Sequence, residues 1–227
     1  MSKQVFDQFE SLPYFIQYPD GYTEGGKHPV FLFLHGAGTR GTDMHPLVTN
    51  SFFRRAQEFA PEAVCVAPLC GANTWFDVFE TLIRFAKAVS EMPFTDPDRL
   101  YLAGNSMGGY GTWQLAMSVP ELFAAILPIC GGGMAWNAAR LKDVPVWAFH
   151  GAQDHTVDPS ESERMVAAVN AKGGCAKLTI YPENGHNSWT DTFNNPETYR
   201  WLLSHRKGGN TEANGIGSDG YQGKDFG

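Results

Sequence analysis

The chain has 227 residues, of which 43% are hydrophobic and 18% charged, enough for one large globular domain with a full core. Its net charge of −7 argues against nucleic acid or an anionic membrane as a partner. No apolar stretch approaches the ~20 residues of a membrane helix.

The amino terminus, MSKQVFDQFESLPYF, lacks the apolar core of a signal peptide because Asp7 and Glu10 interrupt it. As written the chain reads as cytoplasmic, or as secreted if a leader has been removed. The cysteines, Cys65, Cys70, Cys130 and Cys175, form no C-x-x-C pair, so zinc-ribbon and thioredoxin readings find no support. Cys65 and Cys130 lie in apolar runs and are read as buried thiols.

In chain order, Tyr14–Tyr18 predicts a short strand closed by Pro19-Asp20-Gly21, placed antiparallel at a sheet edge. Val30–Leu34 is an unbroken apolar run of the kind a parallel sheet covers on both faces. A helix is predicted over Leu47–Phe59, a strand over Ala63–Ala67, and a helix over Phe76–Val89 that Pro93 and Pro97 end. Leu100–Ala103 is the next strand, and a helix follows over Gly108–Val119. Phe123–Cys130 and Val144–Phe149 predict two more strands. Ser160–Ala171 reads as a helix capped by Ser160 or Asp158, followed by a strand over Ala176–Tyr181 and a helix over Pro196–His205. This alternation predicts an α/β fold: one mostly parallel sheet of about seven strands with helices on both faces, in a single domain over residues 1–205. Residues 206–227, rich in Gly, Asn, Ser and Asp, are expected to form a flexible tail.

The chemistry centres on Gly104-Asn105-Ser106-Met107-Gly108, a G-x-S-x-G segment between a strand and a helix. Such a turn exposes the serine hydroxyl at the strand's carboxyl end and leaves the Met107 N–H at a helix amino terminus, where an oxyanion can be held. A nucleophilic serine needs a base, and the base needs an orienting carboxylate. Two later loops at strand ends supply them: Asp154 in His150-Gly151-Ala152-Gln153-Asp154, and His186 in Gly185-His186-Asn187-Ser188-Trp189. Asp158 competes for the acid role or serves as a helix cap; the loop position straight after the strand favours Asp154. The other histidines fit the base role worse, and His35 and His150, each before a glycine at a strand end, are read as loop-holding residues. No H-E-x-x-H or similar ligand spacing occurs, so neither a metal nor a cofactor is expected.

Five segments together carry a family resemblance: Leu34–Gly41, Gly104–Trp113, Pro128–Gly132, Phe149–Asp154 and Gly185–Trp189. They resemble the α/β-hydrolase superfamily, in particular a carboxylesterase and peptidase subfamily with dienelactone-hydrolase-like and feruloyl-esterase-like members. The resemblance implies Ser106 as nucleophile, Asp154 as acid, His186 as base, and an oxyanion hole from the N–H groups of Met107 and Ala37. Asn187 departs from it, standing where many relatives are expected to carry aspartate.

Substrate size depends on what covers the serine. The segment Gly131–Asp143, where a lid is often inserted, is only 13 residues long, so no cap domain is expected and the site should be open. Trp75, Trp136 and Trp189 fall on loops that could line its rim or fill the core. The leading expectation is therefore a serine carboxylesterase acting on small, aromatic or carbohydrate-linked esters. The alternatives are a serine peptidase or acyl-peptide hydrolase with the same triad, and a non-catalytic binding protein that kept the fold.

Overall fold

A computed structural model describes residues 3–209. Eight strands form one sheet in the order β1-β2-β4-β3-β5-β6-β7-β8, with β1 Gln4–Phe9, β2 Leu12–Gln17, β3 His28–Leu34, β4 Val64–Pro68, β5 Thr95–Asn105, β6 Ala125–Ile129, β7 Val146–Gly151 and β8 Ala176–Tyr181. β1 and β2 are antiparallel, β2 is antiparallel to β4, and every other pairing is parallel. The expected α/β class and its parallel centre are both present.

Alternation along the strands divides the interior into two cores. Val30, Leu32 and Leu34 of β3 face one, together with Leu82, Phe85, Ala86 and Val89 of α3 (Phe79–Glu91), Trp113, Leu115 and Ala116 of α4 (Met107–Ser118), and Met165 and Val169 of α5 (Ser160–Ala171). Phe31 and Phe33 face the other, against Phe52, Phe53 and Ala56 of α2 (Ser51–Phe59), Phe193 of α6 (Trp189–Asn194), and Tyr199 and Leu202 of α7 (Pro196–Leu203). The continuous apolar runs in the sequence reflect this burial on both faces.

The differences from the expected elements have local causes. β1 was not expected because it is an outer edge with little buried surface; Phe6 is 56% exposed. The helix expected over Leu47–Phe59 is two, a single turn α1 (His45–Val48) and then α2, because the Asn50 side chain accepts a hydrogen bond from the Phe52 amide and starts a new helix. α6 was also not expected: a six-residue helix shows too little of the 3.6-residue period to be read. The helices actually begin at Phe79 and Met107 rather than at Phe76 and Gly108. Neither Ser160 nor Asp158 occupies the cap position of α5, which is Pro159; the Asp158 carboxylate, just ahead of it, accepts from the Ser160 amide. Of the expected tail, Arg206–Gly209 are described and begin docked: the Lys207 amide donates to the Asp98 carbonyl and its Nζ to that of Glu121. Residues 210–227 lie outside the described part. Among the described residues no helix is long and apolar enough to cross a membrane.

α4 lies so close on β3 that a Cβ on Gly108 would fall on the carbonyl oxygen of Leu34. That neighbour is backbone of a central strand and cannot move aside. Gly108→Ala should therefore destabilise the fold by about 3 kcal/mol or more, whereas Gly38→Ala, whose added methyl meets nothing within 4 Å, should stay within about 0.5 kcal/mol of the parent in chemical denaturation.

Candidate active site

Ser106, the one residue between β5 and α4, has a conformation that side-chain-bearing residues rarely adopt, φ 55° and ψ −118°. Two backbone bonds hold it there: its amide donates to the Ile129 carbonyl of β6 at 2.9 Å, and its carbonyl accepts from Tyr110 in the first turn of α4 at 3.0 Å. The strain is thus imposed by the sheet on one side and the helix on the other.

The Ser106 hydroxyl lies 2.8 Å from Nε2 of His186, whose Nδ1 lies 2.7 Å from Oδ2 of Asp154. A carboxylate only accepts, so His186 carries its hydrogen on Nδ1 and leaves Nε2 free to accept from the serine. The three residues come from strand ends far apart in the chain. Their loops are fitted to each other by main-chain contacts: the Gln153 amide donates to the Asn184 carbonyl, the Ala152 amide to the Tyr181 carbonyl, and a side chain on Gly151 would collide with Asn184 and Gly185. Asn187 accepts from the amide and hydroxyl of Thr190, which fixes the turn from the His186 loop into α6.

The Asp154 side chain is inaccessible to solvent, and that of His186 is 23% exposed. Burial works against the Asp154 charge, but the His186 hydrogen bond and the amides of Val157 and Thr156, at 3.0 and 2.9 Å, outweigh it and hold the carboxyl below its usual range. A second histidine, His150, reaches the same Oδ2 at 3.2 Å.

Above the serine, a methyl on Gly36 would touch the Ser106 Cβ at 3.5 Å, so the loop that carries Ala37 passes directly over the nucleophile position. Among the described residues neither the Ala37 nor the Met107 amide has a protein acceptor. Arg40 braces this loop by donating to the carbonyls of Ala37 (2.9 Å) and Asn73 (2.6 Å), and an open hollow lined by Ala37, Arg40, Gly71 and Asn73 lies alongside. Beneath it His35, fully buried, donates from Nδ1 to the Gly36 carbonyl and accepts at Nε2 from the Cys70 amide. Burial lowers its pKa to about 4, so it stays neutral and serves as scaffold.

The three tryptophans part company. Trp75 is not at the rim. It is fully buried, its indole N–H donating to the His35 carbonyl, because the loop after β4 folds under the Ala37 loop rather than beside it. Trp136 is 79% exposed on a single-stranded excursion, the 3-10 helix Ala135–Leu141. Trp189 meets the His186 ring edge-on, with centroids 5.4 Å apart. His150 holds a loop and Cys130 is a buried thiol, both as expected, but the sequence did not place them beside the site; the Cys130 thiol forms with His186 and Asp154 the one group of potential metal-ligating atoms among the described residues, all within 4.8 Å. Burial pushes that thiol up to about 12, which disfavours the thiolate a metal would need. Nothing in the sequence pairs these residues with the triad, since only the sheet order brings the ends of β6 and β7 together.

The sequence profile of the dienelactone hydrolase family matches residues 47–200. The chain belongs to this family. Relatives of this dienelactone hydrolase family member include feruloyl esterase B of Piromyces equi, 27% identical over 161 residues, which are 63% of this chain and 29% of that protein. The acylamino-acid-releasing enzyme of Arabidopsis thaliana is 32% identical over 95 residues, 39% of this chain and 12% of that enzyme. The chain thus spans less than a third of either curated relative. Among solved structures, a thermostable esterase superposes with a TM-score of 0.78 at 31% identity, covering 91% of this chain and 63% of the other.

A buried Trp75 and a rim Trp75 have different consequences. Trp75→Phe should leave the His35 carbonyl without its donor and lower stability by about 1–3 kcal/mol in thermal or chemical unfolding, with KM for small esters unchanged.

Proposed function

We propose that this protein is a serine hydrolase of carboxylic esters. The observation that carries the reading is the continuous hydrogen-bonded chain from the Ser106 hydroxyl through His186 to a buried, ionised Asp154. Ser106 attacks the ester carbonyl as His186 Nε2 takes its proton. Asp154 keeps the imidazole in the tautomer that can accept, and stabilises the imidazolium. The Met107 and Ala37 amides, both free of protein acceptors among the described residues, bind the oxyanion, each such donor being worth about 3 kcal/mol. His186 then protonates the leaving alcohol, and water releases the acyl group by the reverse path.

Substrate breadth follows from the absence of cover. The segment between β6 and β7 contains only the seven-residue 3-10 helix Ala135–Leu141, which leaves room for a bulky or polymer-attached ester. Exposed Trp136 and the ring of Trp189 against His186 offer flat apolar surface to an aromatic or sugar-bearing group. The feruloyl esterase among the relatives is in keeping with such an acyl group. A second reading, a peptidase or acyl-peptide hydrolase with the same triad, draws on the acylamino-acid-releasing enzyme. Turnover of p-nitrophenyl acetate against aminoacyl p-nitroanilides separates the two; faster anilide cleavage would overturn the esterase reading.

Ser106→Ala should abolish both ester turnover and labelling by a fluorophosphonate probe, a loss of at least about 10³-fold. Asp154→Asn should lower kcat by about 10⁴-fold by presenting His186 with the wrong hydrogen-bonding partner. Because the Asp154 carboxyl is held below its usual range, it remains charged throughout the acid limb. In a pH series, kcat/KM should therefore fall with the uptake of a single proton as pH decreases; a two-proton limb would contradict the assignment.

A further inference from the structure

The reaction proposed above uses Asp154 only through His186, yet a second, wholly buried imidazole stands 3.2 Å from the acid and bonds the turn that presents it. His150, at the end of β7, is inaccessible to solvent, as is Ser162 in the first turn of α5. The Nε2 atom of His150 faces only acceptors, the Val157 carbonyl at 3.0 Å and Oδ2 of Asp154 at 3.2 Å, and so carries a hydrogen. Its Nδ1 lies 2.8 Å from the Ser162 hydroxyl, which also lies 3.0 Å from the carbonyl of Gly131; the single hydroxyl hydrogen serves one of these two acceptors at a time. Gly131 in turn packs on the backbone of Gly109 and Tyr110, in the helix turn that follows Ser106.

These contacts form a closed frame. Oδ1 of Asp154 accepts from two amides of its own turn, Thr156 and Val157, while Oδ2 accepts from His186 at 2.7 Å and has Nε2 of His150 beside it at 3.2 Å. His150 Nε2 donates to the Val157 carbonyl, so it holds the turn that presents the carboxylate while lying against Oδ2. Through Ser162 and Gly131 the grip extends to the helix that carries the nucleophile.

We propose that His150, braced by Ser162, is the positioning residue of the acid: it sets the rotation of the Asp154 carboxylate and its distance from the Ser106 elbow. The proposal rests on the Ser106–His186–Asp154 reading of the site. Without His150 the Val157 carbonyl loses its donor, and the turn that presents the carboxylate can shift. The loss then falls on the step in which the imidazolium forms, and binding of a small ester is untouched.

The test compares His150→Leu, His150→Gln and Ser162→Ala with the parent protein, using p-nitrophenyl acetate kinetics and the downfield proton resonance of the His186–Asp154 hydrogen bond. In His150→Leu kcat should fall about 10–100-fold with KM within about twofold, and the resonance should shift or broaden. His150→Gln, which keeps a side-chain donor, should recover most of both. Ser162→Ala, which removes one hydroxyl, should show a smaller loss of the same kind, and with His150→Gln it decides the matter if the leucine variant does not fold. The proposal is overturned by a folded His150→Leu with parental kcat, by a loss confined to KM, or by a fall in kcat with the resonance unmoved. Ser106→Ala is run beside them: if it keeps hydrolysing ester the triad reading itself fails, whereas inactive Ser106→Ala with fully active His150 variants removes only the positioning role.

Discussion

The close approach of α4 to β3 is the constraint from which the site follows. With no side chain at Gly108, the helix descends onto the Leu34 carbonyl, and the chain between β5 and α4 has room for only one residue. That residue is Ser106, turned to positive φ and pinned by the Ile129 carbonyl on one side and the Tyr110 amide on the other. The same turn leaves the Met107 amide at the start of a helix, where aligned peptide dipoles favour negative charge. Ser106 at its turn and the free Met107 amide, proposed above as nucleophile and oxyanion donor, are therefore consequences of a single packing contact.

Around that elbow the parallel sheet does the gathering. Strands β3, β5, β7 and β8 all end on one edge, so loops distant in sequence deliver Ala37, Ser106, Asp154 and His186 to one place. A buried charge among them would be costly alone. Asp154 is supported instead by the amides of Thr156 and Val157 and the imidazole of His186, which hold the carboxyl below its usual range despite burial. The scaffold histidine His35 works in the opposite sense, buried and neutral, tying the Ala37 loop to the loop after β4.

Much of this was legible in one dimension. The apolar runs of β3, β4 and β7 mark strands covered on both faces, and the G-x-S-x-G turn has few uses between a strand and a helix. The order Ser106, Asp154, His186 follows from which strand ends carry the right groups. Less legible were elements whose stability comes from outside themselves: β1, which exposes most of its side chains, and α6, too short to show a period.

The sequence by itself determined the fold class, the G-x-S-x-G turn with Asp154 and His186 at later strand ends, and the shortness of the segment between β6 and β7, because these depend on local backbone chemistry and on the covering of strand faces. Only the tertiary structure decided that Trp75 lies beneath the Ala37 loop instead of at the rim, and that His150 and Cys130 stand beside the triad. Those facts depend on how loops from different strands stack on one another. A loop's depth and its neighbours are set by contacts across the sheet, for which the order of residues along the chain carries no periodic signal.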